Sequence, residues 1–96
     1  MRLDLFLKAS RLCTGRSIAQ KLCDAGLVAL NNQPAKSAHA VKPGDQISIT
    51  TRSRRLVAVI EVVPANRNTS RKEATTLYRL IEDERVPAAD GSDSDS

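Results

Sequence analysis

The sequence predicts an α+β domain in which two short helices pack on a small, mainly antiparallel sheet, with one further helix on the C-terminal side. Three observations predict it. Apolar residues recur at helical spacing up to Gly26, the period falls to two from Leu27 onward, and Ser70-Arg71-Lys72-Glu73 carries a helix-capping signal further along. At 96 residues and 10.4 kDa there is material for one core and no second one.

Leu3, Phe6 and Leu7 fall on one side of a first helix, with Asp4, Lys8 and Arg11 on the neighbouring face. Thr14 or Ser17 is placed to cap a second helix. That helix should bury Ile18, Leu22 and Ala25, turn Arg16 and Gln20 away from the core, and end at Gly26 in the left-handed conformation. Asn31-Asn32 sits between extended runs as a hairpin turn, since asparagine tolerates positive φ better than other residues that carry a Cβ. Pro43-Gly44-Asp45 is a second turn and leads into Gln46 to Thr50, where Ile47 and Ile49 face inward. Leu56 to Val63 is apolar on both faces except at Glu61, which predicts a central or covered strand. The capping box at Ser70 predicts a helix that buries Ala74, Leu77, Tyr78 and Ile81 and stops at Pro87. The chain thus divides into a domain over 1–64, a basic loop with a docked helix over 65–86, and an acidic tail over 87–96. The tail has little to bury and is expected to be disordered.

Charge is distributed unevenly. Up to residue 79 there are fourteen Lys or Arg against five acids, whereas from 80 to 96 there is one Arg against six acids. A basic body with an acidic end favours an anionic partner. Membrane is disfavoured, because no stretch approaches spanning length and no helix combines a long apolar face with a cationic border. Phe6 and Tyr78 are the only aromatics, so base stacking is not the expected mode of nucleic-acid recognition. Arg2, Asp4 and Lys8 interrupt any signal-peptide core, and the expected location is the cytoplasm. There Cys13 and Cys23 should be reduced, partly buried thiols; with a single His39 they match no familiar zinc spacing, and no metal or other cofactor is expected. Catalysis is not expected either, because the chain offers no nucleophile with its base, no paired acid and base, and no phosphate-cradling glycine loop.

Arg2-Leu3-Asp4, Gly15-Arg16-Ser17 followed by Ala19, Gly26 with Val28, Asn31-Asn32 and Gly44-Asp45 resemble, in order and spacing, the S-four (alpha-L) RNA-binding domain over about residues 1 to 50. Downstream, RRLVAVIEVV, the basic loop and the capped segment ending in Leu77-Tyr78 resemble the bacterial fifteen-kilodalton heat-shock protein family. The small size resembles the RqcP family of ribosome quality-control factors. The resemblance implies non-catalytic binding of structured RNA, namely large-subunit ribosomal RNA and tRNA on stalled ribosomes, with the large ribosomal subunit as partner; the chain is expected to act as a monomer. Two positions depart from the pattern. The usual Asn-Gly turn is Asn31-Asn32 here, and an acidic tail replaces the long basic extension of the heat-shock family.

Guanidinium groups grip phosphates with paired hydrogen bonds, so the arginines lead the candidate contacts. Arg16 stands first: it opens a helix whose amides also favour an anion, and the resemblance implies RNA contact there. Arg2, Lys8 and Arg11 follow, although Asp4 stands four residues before Lys8 and can pair with it as a surface bridge of ~0.3 kcal/mol. Lys36 and Ser37 come after the hairpin and can reach a sugar or phosphate. Lys21, Asn31, Arg52, Arg54 and Arg55 form a secondary set, with Asn31 also needed for its turn and the arginine run also readable as a solvated face. Arg67, Arg71 and Lys72 extend the basic footprint. Two other readings compete: a helix-turn-helix DNA binder, for which Arg16, Gln20 and Lys21 are a thin base-reading set, and a protein-interaction module whose charge serves solubility.

Overall fold

The computed structural model describes residues 1–65 and 69–85. Arg67, the Pro87 stop and the acidic tail over 87–96 lie outside the described residues. Helix α1 (Leu3–Ala9) and helix α2 (Arg16–Asp24) precede strands β1 (Val28–Leu30), β2 (Gln33–Pro34), β3 (Gln46–Thr50) and β4 (Arg54–Ile60). A single helical turn, α3 (Arg71–Ala74), leads into β5 (Tyr78–Arg85). All strand pairs are antiparallel, in the order β2-β1-β3-β4-β5.

The helix-facing side of the sheet is built by alternation. Val28 pairs with Ile49 and Ile49 with Leu56, while Leu30 pairs with Ile47 and Ile47 with Ala58, so that two apolar rows run across three strands. Leu3, Phe6 and Leu7 belong to the same core and have no accessible surface. Asn31 and Asn32 have φ of 53° and 68°, the two successive positive values of a two-residue hairpin turn that matches strand twist. Asp45, 94% buried, secures the turn: it accepts from the Asn31 amide at 3.1 Å and the Lys42 N–H at 3.0 Å, while Asn31 Oδ1 accepts from Gln46 N–H at 3.0 Å. The strand expected over Leu56 to Val63 begins two residues earlier and lies second from the edge.

Helix α2 differs from its expected form at its start and on its buried face. Its N-cap is Gly15, with no side-chain cap from Thr14 or Ser17. Ala19 and Cys23 are buried and Leu22 is partly so, whereas Ile18 is 47% exposed and Ala25 lies at the surface. Small side chains one turn apart let α2 approach α1 closely, and this outweighs the larger apolar residue at 18. The end is as expected: Gly26 at φ 75° donates to the Cys23 carbonyl and Leu27 N–H to the Leu22 carbonyl, the double bond of a left-handed helix cap.

The C-terminal segment is a correction. Ser70 does cap, its Oγ accepting from Glu73 N–H at 3.0 Å, but the helix ends after Ala74 and Tyr78–Arg85 continues as a strand. Ala74 and Leu77 are buried as expected, whereas Leu80 and Ile81 are exposed. The cause is non-local: β4 would otherwise keep an open edge, and β5 satisfies its backbone groups. The register shifts between Val57 and Ala58, whose partners are Glu82 and Leu80, leaving Ile81 as the bulged residue.

Candidate nucleic-acid interface

The start of α1 organises the cationic face. The free amides of its first turn are taken by the chain itself: Leu3 N–H donates to the His39 carbonyl at 2.8 Å and Asp4 N–H to the Ser37 carbonyl at 3.1 Å. These bonds, together with an Arg2–Ala40 bridge, lay the segment bearing Lys36 and Ser37 beside Arg2. Lys36 is exposed and Ser37 half-buried.

Asp4 was expected on an outer face, pairing with Lys8. Instead its side chain has no accessible surface, and its carboxylate collects four donors. These are Leu5 N–H at 2.8 Å, Gln20 Nε2 at 2.9 Å, Arg16 Nε at 3.1 Å and Arg2 Nη2 at 3.3 Å. Burial pushes this carboxyl up, but the hydrogen bonds from Gln20 and Arg16, the charge of Arg2 and the Leu5 amide outweigh it and hold Asp4 below the ordinary carboxylate value. Gln20 and Arg16 therefore do not simply point away from the core; they tie α2 to the start of α1. The arginine side chains remain 43% exposed for Arg2 and 41% for Arg16, with most of their donors uncommitted. The first amides of α2, at Arg16, Ser17 and Ile18, have no backbone acceptor among the described residues.

Arg11 belongs to a different place. It lies beyond the end of α1 at φ 61°, and its Nη2 donates to the Thr69 carbonyl at 3.0 Å, while the Thr69 hydroxyl donates to the Ala9 carbonyl at 2.5 Å. These contacts bring the segment carrying Arg71 and Lys72 to the C-terminal end of α1. Lys8 is exposed one turn before Arg11. A seven-residue helix, about 10 Å long, separates this cluster from the Arg2–Arg16 pair.

The arginine run at the start of β4 is occupied differently. Arg54 makes two bonds to Asp83 at 2.8 and 2.9 Å, and Arg55 lies 3.7 Å from Glu82. Arg52 is exposed in the turn before them, and Lys21 is exposed on α2. Asn31 spends its amide on the turn network, as donor and as acceptor. Cys13 and Cys23 are free and buried; burial, with Cys23 nearby, pushes the Cys13 thiol up to about 11, and burial with Asp4 and Asp24 pushes Cys23 up. Among the described residues no three of His, Cys, Asp or Glu are grouped to hold a metal, and no helix is long and apolar enough to cross a membrane.

This geometry has relatives. The S4 domain family matches residues 1–47, the segment that contains both helices, the hairpin and the Asp45 turn. The RQC P-site tRNA stabilizing factor of Bacillus subtilis (strain 168) is 35% identical over 86 residues, covering 90% of this chain and 98% of the relative. The chain belongs to the family of the RQC P-site tRNA stabilizing factors. A member from Helicobacter pylori (strain 26695) is 38% identical over 78 residues, 81% of this chain and 92% of its own length. Heat shock protein 15 of Vibrio cholerae, whose structure is trimeric, superposes with a TM-score of 0.75 at 33% identity, over 84% of this chain and 81% of that one. The match to the Bacillus relative, over 86 residues, extends well beyond the S4 segment at 1–47.

Sequence reasoning had Asp4 and Gln20 in view and missed their joint role. The available signal was Asp4 itself, an acid at the border of the apolar stripe in a strongly basic segment. Its partners, twelve and sixteen residues away, are invisible to any helical periodicity.

Proposed function

We propose that the chain is a non-catalytic RNA-binding protein of the cytoplasm that binds large-subunit ribosomal RNA and tRNA on stalled ribosomes and stabilises tRNA there. The observation that carries this reading is the Arg2–Arg16 pair: two half-exposed guanidinium groups beside open α2 amides, with the carboxylate between them buried. Such a surface suits phosphodiester oxygens, because guanidinium groups grip phosphate with paired hydrogen bonds and the acid between these two is buried. The names of the relatives, which refer to a P-site tRNA, support the choice of target.

In this reading Arg2, Arg16, Lys36 and Ser37 form the principal contact, and Lys8 and Arg11 form a second cluster with Arg71 and Lys72. Lys21 and Arg52 add long-range attraction, whereas Arg54, Arg55 and Asn31 contribute least because their side chains already have protein partners. The protein acts as a monomer, in contrast to the trimeric structure of its Vibrio relative.

Gradient sedimentation of cell lysate containing the tagged protein tests the reading. Co-migration with large subunits, lost in Arg16→Ala and not displaced by excess duplex DNA, is the expected result. Migration with neither subunits nor whole ribosomes would overturn it.

A further inference from the structure

We infer that Asp4 is a positioning residue for RNA: its carboxylate fixes Arg2 and Arg16 as an ordered pair of phosphate donors without itself meeting the ligand. The inference rests on the RNA-binding reading above and deepens it.

Three features of the site lead there. First, Asp4 has no accessible surface, so it cannot contact RNA, yet both exposed arginines of the principal contact end on its two oxygens. One buried acid shared by two cations leaves a net positive charge at the surface while restraining both guanidinium groups. Second, the carboxylate is held by two further donors and its backbone by a third bond. Gln20 from α2 and the Leu5 N–H of its own helix keep the carboxylate from rotating with the arginines, and the Asp4 N–H, donating to the Ser37 carbonyl, fixes the backbone beneath it. Third, Arg2 Nε is buried and without a hydrogen-bond partner, although Asp4 Oδ1 lies 3.3 Å away. Asp4 thus holds the buried root of the Arg2 guanidinium by charge, while the side chain as a whole stays 43% exposed towards an incoming phosphate.

The consequence has a sign that separates positioning from the alternatives. A negative charge beside an RNA surface should, through its field alone, weaken binding, so its removal should tighten it. A residue that only ties α1 to α2 should alter stability and leave the affinity of the folded protein unchanged. Positioning demands the reverse: removing the charge must weaken binding, because two long side chains then have to be ordered when RNA arrives.

The test titrates purified large ribosomal subunits with wild type, Asp4→Asn, Asp4→Glu, Arg16→Ala and the double variant D4N/R16A, at one fixed salt concentration. Thermal unfolding of each free protein establishes the folded fraction. Asp4→Asn is expected to weaken binding about ten-fold despite raising the net charge, as expected for two side chains ordered at binding. Asp4→Asn is expected to cost less in the Arg16→Ala background than in wild type, the remainder being the share owed to Arg2; an equal cost in both backgrounds would overturn the positioning of Arg16. In nitrogen-15 spectra the Arg16 Nε–H signal, distinct in the wild type, is expected to merge with those of mobile arginines in Asp4→Asn. Asp4→Glu keeps the charge and moves the oxygens, and it too should weaken binding, which preserves the test if Asp4→Asn does not fold. If Arg16→Ala weakens binding and a folded Asp4 variant binds as well as wild type or better, the positioning role is overturned while the RNA reading stands. If Arg16→Ala binds as wild type does, the RNA reading of this surface falls, and the inference with it.

Discussion

Two regions of this molecule are rich in arginine and treat it in opposite ways. Around the start of α1, Arg2 and Arg16 share one carboxylate, that of buried Asp4, and keep uncommitted donors at the surface. Along the β4–β5 pair three arginines have an acid each: Arg54 bonds Asp83, Arg55 lies near Glu82 and Arg79 lies 3.5 Å from Glu61. The ratio of acids to arginines, and the burial of the acid, decide which cluster remains electropositive. A count of cations along the chain ranks the second region at least as high as the first. The paired region serves β5 instead, whose Asp83 and Glu82 reach Arg54 and Arg55 diagonally, two positions from Arg85 and Glu84, the residues opposite those arginines in register.

The contrast can be broken most drastically from beneath. Phe6 has no accessible surface and belongs to the core under both helices and sheet, so Phe6→Ala should cost about 3–5 kcal/mol in urea unfolding. Both regions should melt in one transition; separate transitions would show that the helical face and the β4–β5 edge are independent units. Next in size, Arg16→Ala should weaken binding to large ribosomal subunits by roughly 1–3 kcal/mol and make its dependence on salt shallower. An unchanged salt slope would remove Arg16 from the phosphate contacts.

Acid sharpens the comparison further. The folded value of Asp4 is depressed, so its contribution to stability is complete above the ordinary carboxylate value of about 4 and is lost as pH falls through the folded value. Asp83 shifts in the same direction through its bonds to Arg54, but in a far more exposed position. Urea midpoints measured from pH 6 down to pH 3 should therefore fall less steeply in Asp4→Asn than in wild type. Asp83→Asn should flatten the curve less, and the opposite order would mean that the edge, not the buried site, stores the acid-sensitive stability. A smaller effect is expected at Gly26, where nothing obstructs a Cβ but φ is 75°: Gly26→Ala should cost about 1 kcal/mol through the backbone alone. The smallest concerns the paired arginines: Arg54→Ala should leave ribosome binding within two-fold of wild type and the urea midpoint nearly unmoved, as exposed ion pairs generally do.

Much of the scaffold could be read from local pattern, because the forces behind it act over short stretches of chain. The apolar stripe of α1, the Gly26 cap, the Asn31-Asn32 turn and the inward Ile47 and Ile49 each depend on neighbours within a few residues. The buried face of α2 lies one position from the one its hydrophobicity predicts, since Ile18 is the more hydrophobic residue but Ala19 is the one small enough for close helix contact. At Ser70 the capping signal was genuine, yet it could not report how far the helix runs. Ala74, Leu77, Tyr78 and Ile81 suit a helix, and the open edge of β4, distant in sequence, made the segment after Leu77 a strand.

The sequence by itself determined that this is a basic, single-core α+β chain of S4-domain character, and it named Arg2 and Arg16 among the candidate contacts, because composition, turns and periodicity are local properties. Only the tertiary structure decided which cations remain available. Asp4 comes under Arg2, Arg16 and Gln20, and Asp83 comes beside Arg54, only when elements far apart in the chain pack together. A charge acquires its function from the partners that folding brings within about 3 Å of it, the distance at which hydrogen bonds form.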